Sequence, residues 1–253
     1  MRLFDSHCHF ETEDADTIAA ILVRAAAAGV EKIVAVGGSD GLNAAALAAQ
    51  RVASTQRFPE VQVALGYDRE QINQFRDFST LQCLPWLKNA VAIGEIGLDY
   101  HYAPETRDAQ RALFAAQLDF ARQNDKPVVI HTREAADDTI GLLKEIPSRG
   151  VIHCFTGDLA EARAYLDLGF YVSISGIVTF KAADNVRATA RTIPDDRLLI
   201  ETDSPYLAPV PLRGRPNEPA FIRHTCEFLA SERGLSPTKF AEMTFFNAER
   251  AFS

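Results

Sequence analysis

Eight short runs rich in β-branched residues recur along the chain: RLFDSH, EKIVAVG, VQVALG, AVAIGEIG, PVVIHT, GVIHCF, FYVSIS and RLLIET. Between them lie longer segments, such as 15–28, 106–123, 135–144 and 159–168, whose apolar residues fall three and four apart, the spacing of an amphipathic helix. Strand–helix alternation builds a parallel sheet, because a parallel neighbour is reached only by a crossover, usually a helix. The unbroken apolar stretches VVI and LLI suit strands covered on both faces. Such units predict an α/β fold of the (β/α)8 TIM-barrel type, which takes about 250 residues. The 253 residues here fit one domain spanning 1–253, with no linker and no internal repeat. An open doubly wound sheet is the competing architecture, but no Gly-x-Gly-x-x-Gly follows the first run. Residues 236–252 continue as a helical tail expected to close one end.

Composition narrows the setting. The net charge of −8 offers no protein-wide attraction to nucleic acid, so a phosphate substrate needs local arginines and lysines or bound metal. No apolar run approaches the roughly 20 residues of a membrane helix. Asp5, His7 and His9 fall where a signal peptide would be apolar, so a cytoplasmic protein without a membrane partner is expected. Cys8, Cys83, Cys154 and Cys226 are scattered with no Cys-x-x-Cys pair, which argues against a disulfide framework and against a thiolate zinc site. Nothing advertises a protein interface, and a monomer is the default.

In such a barrel the chemistry gathers at the C-terminal ends of the strands. Those ends carry His7 and His9, Glu95, His131, His153, and the pair Glu201 and Asp203. His7 and His9 share strand parity, so their imidazoles point one way and Cys8 the other. Singly, each has a bland use: a hydrogen-bonded core histidine, a helix cap at Glu95, a turn at Asp203 before Pro205. Concentrated at one rim, they point to a metal site. Four imidazoles and two carboxylates exceed the three protein ligands of a single catalytic zinc. They suit two divalent metal ions about 3.5–4 Å apart, bridged by Glu95. Zinc, manganese and magnesium are all open, with histidine richness favouring a transition metal.

These motifs resemble those of the TatD family of metal-dependent nucleases, within the larger group of amidohydrolase-like barrels. LFDSHCHFE, PVVIHTREAADD and RLLIETDSPYLAP resemble the family's three signatures, and GEIGLDY, IHCFTG, SISGIVTFK and RGRPNEP extend the likeness nearly end to end. The resemblance implies a divalent-metal hydrolase of phosphodiester bonds, often one that trims single-stranded DNA from its 3′ end. It implies metal ligands at His7, His9, Glu95, His131, His153 and Asp203. Divalent ions acidify water and offset the charge growing on phosphorus. Asp203, with the bridging Glu95, is the candidate catalytic carboxylate, placed to accept or orient the water's proton. Glu201 shares parity with Asp203 and is the candidate to hold a ligating imidazole. For phosphate contacts, Arg133 lies two residues beyond His131 and offers a planar fork. Lys181, Arg213 and Arg215 are further candidates, each equally serviceable as a solvated surface charge. Asn217 and Glu218 could simply begin the last barrel helix.

The chain departs from the family pattern after its third run. Where Leu-Gly-x-His-Pro is common, it reads Leu65-Gly66-Tyr67-Asp68-Arg69. A carboxylate at 68 repels a phosphate unless Arg69 pairs with it, and it would suit an amine. The leading expectation is a deoxyribonuclease or general phosphodiesterase with DNA as its partner. The alternative is a hydrolase of an amide, ester or aminoacyl bond using the same cage. A non-catalytic protein that keeps metal for folding is a third reading, and the complete ligand set speaks against it.

Overall fold

The computed structural model describes residues 1–56, 58–72 and 89–253. Eight parallel strands pair in sequence order. They are β1 (Leu3–Cys8), β2 (Val30–Gly38), β3 (Glu60–Tyr67), β4 (Ala92–Asp99), β5 (Val128–Arg133), β6 (Gly150–Ile152), β7 (Tyr171–Ile174) and β8 (Leu198–Ile200). Helices α1 (Ala15–Ala27), α2 (Asp40–Ala53), α3 (Arg107–Gln123), α4 (Ala136–Glu145), α5 (Leu159–Asp167) and α6 (Asp184–Thr192) follow β1, β2, β4, β5, β6 and β7 in turn. Two more, α7 (Ile222–Glu232) and α8 (Pro237–Ala251), follow β8. The β3–β4 link runs largely through 73–88, which lie outside the described residues and include Cys83; Cys8, Cys154 and Cys226 are free thiols. This is the (β/α)8 barrel that the alternation predicts. Among the described residues no helix is long and apolar enough to cross a membrane.

Local chemistry starts several helices. Asp14 accepts from the Thr17 amide at 2.8 Å, and Asp158 from the Glu161 amide at 2.9 Å. Each satisfies a first-turn amide that the helix itself leaves without a partner, an effect of about 1 kcal/mol per cap.

Two apolar layers are built from the strands. Leu3, Ile33, Leu65, Ile96 and Ile130 pack outward with helix residues such as Leu22, Phe114 and Leu118. Phe4, Val34, Ala64, Ala92, Val129, Val151 and Leu199 form a separate inner cluster. Phe245, Ala248 and Phe252 join that inner cluster, with the Phe245 and Phe252 rings 5.6 and 6.2 Å from Phe4. The C-terminal helix therefore plugs the end where the strands begin and leaves the polar end for chemistry.

Strict alternation breaks in two strands. Ile93 and Ile96 both pack in the outer layer although three apart, and so do Leu3 and Cys8, five apart; the ladders shift register within both intervals. The extra residue reverses the facing of everything beyond it, which turns His7 and Glu95 inward instead of toward the helices. Gly97 permits the close passage of β4 past β5: its φ is +136°, and a Cβ there would lie 2.0 Å from the His131 carbonyl oxygen.

The seam between β8 and β1 closes through side chains as well as backbone. Ser6 Oγ donates to the Ile200 carbonyl at 3.0 Å, and buried Asp5 accepts from the Thr202 amide and hydroxyl at 2.9 and 2.6 Å. Backbone bonds run from the Asp203 amide to the His7 carbonyl (2.9 Å) and from the His9 amide to the Ser204 carbonyl (2.7 Å). The segments carrying His7, His9 and Asp203 are thereby tied to one another.

Candidate metal centre

His9, Glu95, His131, His153 and Asp203 line one cavity at the polar end, together with Asp68, Arg69 and Tyr206. His7 lies behind them, fully buried. Glu95 is central. Its Oε2 stands 3.4 Å from His9 Nε2 and 3.7 Å from His7 Nε2. Its Oε1 stands 3.2 Å from His131 Nδ1 and 3.4 Å from His153 Nε2. Asp203 Oδ1 lies 3.7 and 3.8 Å from the Nε2 atoms of His7 and His9. Each oxygen of Glu95 thus faces its own pair of imidazoles.

The far sides of the rings define which nitrogen is bare. His9 Nδ1 is 2.9 Å from the Val36 carbonyl, which can only accept, so that nitrogen carries the hydrogen and Nε2 presents its lone pair. His131 Nε2 lies 3.0 Å from Asp99 Oδ2, and His153 Nδ1 lies 3.4 Å from Glu201 Oε1. By the same reasoning, the lone pairs of the neutral rings fall on His131 Nδ1 and His153 Nε2. Lone pairs of these imidazoles therefore converge on the carboxylates of Glu95 and Asp203. Such a set repels itself unless a cation or protons intervene. Separations of about 3–4 Å are the edges of a coordination polyhedron with bonds near 2.0–2.2 Å. The donors fit divalent metal, and three subsets (His7, His9, Glu95; His7, His153, Asp203; Glu95, His131, His153) each lie within 4.8 Å.

Protons balance the charge in the metal-free chain. Burial pulls the His153 pKa down, but the Glu95 charge and the contacts to Glu201 outweigh it and hold the ring well above its ordinary value. Burial pushes Glu95 up, and His153, His131 and His9 overcome this to hold it well below the ordinary carboxylate range. Burial raises Asp203 to about 6. Asp203 and Cys154 both adopt left-handed backbone, with φ of +55° and +45°, a conformation costing about 1–2 kcal/mol in a non-glycine residue and often found at functional sites.

Further residues support the ligand candidates, Glu201 among them as its parity with Asp203 predicts. Asp99, in the same GEIGLDY motif as Glu95, supports His131; burial raises its pKa, but the His131 contact outweighs that and brings it to about 2. Its position four residues beyond Glu95 was a usable signal. Glu201 is buried, and its Oε1 faces His153 while accepting from the Cys154 amide at 2.7 Å. Asn217 lies ahead of the 3-10 turn Pro219–Phe221 and begins no helix: its Nδ2 donates to the Thr202 and Tyr206 carbonyls at 2.8 and 2.6 Å, clamping the loop that carries Asp203. Glu218 pairs with Arg24 at 2.7 Å.

Among the basic candidates, the Arg133 guanidinium lies over the Tyr102 ring at 4.7 Å and that of Arg213 over Phe180 at 4.3 Å, while Lys181 is exposed. Among the described residues, the arginine that lines the cavity is Arg69. It pairs with Glu95 Oε1 at 3.3 Å and with Glu70 at 3.6 Å rather than with Asp68. Asp68 accepts from the Glu70 amide at 2.7 Å and caps the single 3-10 turn Arg69–Gln71. Burial, then the Glu95 charge, raises its pKa to about 6.

Residues 4–253 match the family model described as TatD related DNase. The metal-dependent hydrolase YcfH of Escherichia coli (strain K12) is 40% identical over 261 residues, which cover 100% of this chain and 96% of that protein. A protein of Rahnella sp. named 3′-5′ ssDNA/RNA exonuclease TatD is 40% identical over 176 residues, covering 66% of each. The crystal structure of YJJV, a TatD homolog from Escherichia coli K12, matches with a TM-score of 0.87 and 30% identity over 99% of this chain and 98% of that one.

Proposed function

The chain belongs to the TatD family of metal-dependent hydrolases, and on that premise we propose that it cleaves phosphodiester bonds, removing nucleotides from the 3′ end of single-stranded DNA. The observation that carries the reading is the division of imidazoles between the two oxygens of Glu95. In this reading His7, His9, Glu95 and Asp203 hold one divalent ion, and Glu95, His131 and His153 hold a second. Bound there, such ions supply Lewis acidity, making water a stronger acid and offsetting negative charge on phosphorus.

The protein's own groups do the rest. Asp203, a buried carboxylate lining the cavity, accepts the proton released as water attacks phosphorus. Its backbone and the Asn217 clamp keep that carboxylate aimed at the cavity. Glu201 and Asp99 keep the His153 and His131 rings oriented.

The test is 5′-labelled single-stranded DNA with manganese or magnesium. Wild type should yield products shortened from the 3′ end, and Asp203→Asn should slow the loss by about a hundredfold or more. Asp68, the residue that would suit an amine, is engaged in capping its turn. Intact DNA together with cleavage of an aminoacyl or amide substrate would transfer the assignment to that second class.

A further inference from the structure

We propose that Arg69 binds the anionic oxygen beside the bond being cleaved, so that the site selects negatively charged esters over neutral esters. The inference rests on the hydrolase reading above and names the charge its substrate must carry. Among the described residues lining the cavity, Arg69 is the one arginine or lysine, set among Asp68, Glu70, Glu95 and Asp203. Asp68 and Glu70, which hold no metal in that reading, would otherwise repel a phosphate ester.

The side chain is aimed by its own turn. The Asp68 amide donates to the Gly38 carbonyl at 2.8 Å, and the Gln71 amide to the Asp68 carbonyl at 3.0 Å. With Asp68 Oδ1 on the Glu70 amide, these bonds fix the turn that carries Arg69 over the cavity. Gly38 leaves room for it: its φ is +145°, and a Cβ there would stand 3.1 Å from Asp68 Oδ2. Aspartate followed by arginine at 68–69 therefore delivers a guanidinium to the cavity where the family pattern has histidine and proline.

The guanidinium is held loosely. Its contacts of 3.3 Å to Glu95 and 3.6 Å to Glu70 exceed the roughly 2.7–2.9 Å of a strong charge-assisted bond. Its side chain is 19% exposed, so it reaches solvent at the cavity mouth. With Glu95 committed to holding metal, its carboxylate would bind Arg69 less firmly, leaving the planar fork for an oxyanion of the substrate.

The experiment compares manganese-loaded wild type, Arg69→Lys and Arg69→Gln on an anionic diester, bis(p-nitrophenyl) phosphate, and a neutral ester, p-nitrophenyl acetate. Arg69→Gln should lower kcat/KM on the diester by about 10- to 100-fold and change the neutral ester by less than about threefold, with Arg69→Lys between. Calorimetry reads the same contact without turnover: inorganic phosphate should bind wild type at least about tenfold more tightly than Arg69→Gln, with manganese affinity held within about threefold. Equal losses on both esters, an unchanged diester rate, or equal phosphate affinities would overturn the inference. If wild type hydrolyses neither ester, the functional reading fails, while the phosphate titration still decides the role of Arg69. Absence of phosphate binding to wild type would overturn that role too.

Discussion

Asp99 and Glu201 act on the metal-capable rings from behind. One lies 3.0 Å from His131 Nε2 and the other 3.4 Å from His153 Nδ1, while the opposite nitrogen of each ring faces Glu95 Oε1. A carboxylate on the far nitrogen fixes the tautomer and makes the near one a better donor. Asp99→Asn keeps an acceptor for the ring N–H but removes the charge. It should therefore weaken manganese or zinc binding by about 10- to 100-fold, read by calorimetry, with little change in the metal-free melting temperature. Full affinity in that variant would show that His131 binds metal without this support, or not at all. Glu95 was legible in GEIGLDY from its place at a strand end, whereas Asp99 in the same motif emerges from its contact with His131. Arg69 was not legible as a cavity residue, since its reach depends on a bond from Asp68 back to Gly38, thirty positions earlier.

At the level of elements, the register shifts in β1 and β4 decide whether the rim has ligands at all. From Phe4 and Ala92, both in the inner cluster, unbroken alternation would send His7 and Glu95 toward the helices. Gly97 lies just beyond the β4 shift, where β4 crosses the His131 backbone. Gly97→Ala should destabilise the fold by about 2 kcal/mol or more and weaken metal binding, because a methyl 2.0 Å from a carbonyl oxygen forces two strands apart. Gly141→Ala is the contrast: nothing lies within 4 Å of a Cβ there, and it sits inside α4, so a gain of about 0.5–1 kcal/mol is expected. Denaturant melts of both variants check the pair, and similar behaviour would remove the steric argument. Three strands, β6, β7 and β8, are also shorter than their sequence runs. GVIHCF ends as a strand at Ile152, and the left-handed backbone at Cys154 follows directly.

For the whole molecule, metal, protons and folding are one linked equilibrium. Ligating imidazoles must be bare, so metal binding expels protons and strengthens as pH rises. In the metal-free chain His153 works the other way. Its pKa is held above the ordinary value, so its protonated contacts stabilise the fold fully below that ordinary value, and this contribution is lost as pH climbs through the folded-state pKa. Both effects enlarge the stabilisation by metal as pH rises. The rise in melting temperature on adding manganese to chelator-treated protein should grow from about pH 5.5 to 8. A rise independent of pH would mean that imidazoles are not the ligands. The acidic balance of −8 adds to this, since bound cations reduce the repulsion among the clustered carboxylates.

Strand–helix alternation, the apolar character of each run and the polar residues at run ends are properties of contiguous residues, which is why the sequence alone determined the barrel and nominated His7, His9, Glu95, His131, His153 and Asp203. Which way those side chains face is not a contiguous property. One extra residue in β1 and another in β4 turn a face over, and the backbone contacts that accommodate them come from β2, β3 and β5. The same holds for charge: Arg133 stacks on Tyr102, while Arg69 enters the cavity. Only the tertiary structure decided these points, because each depends on where distant segments meet.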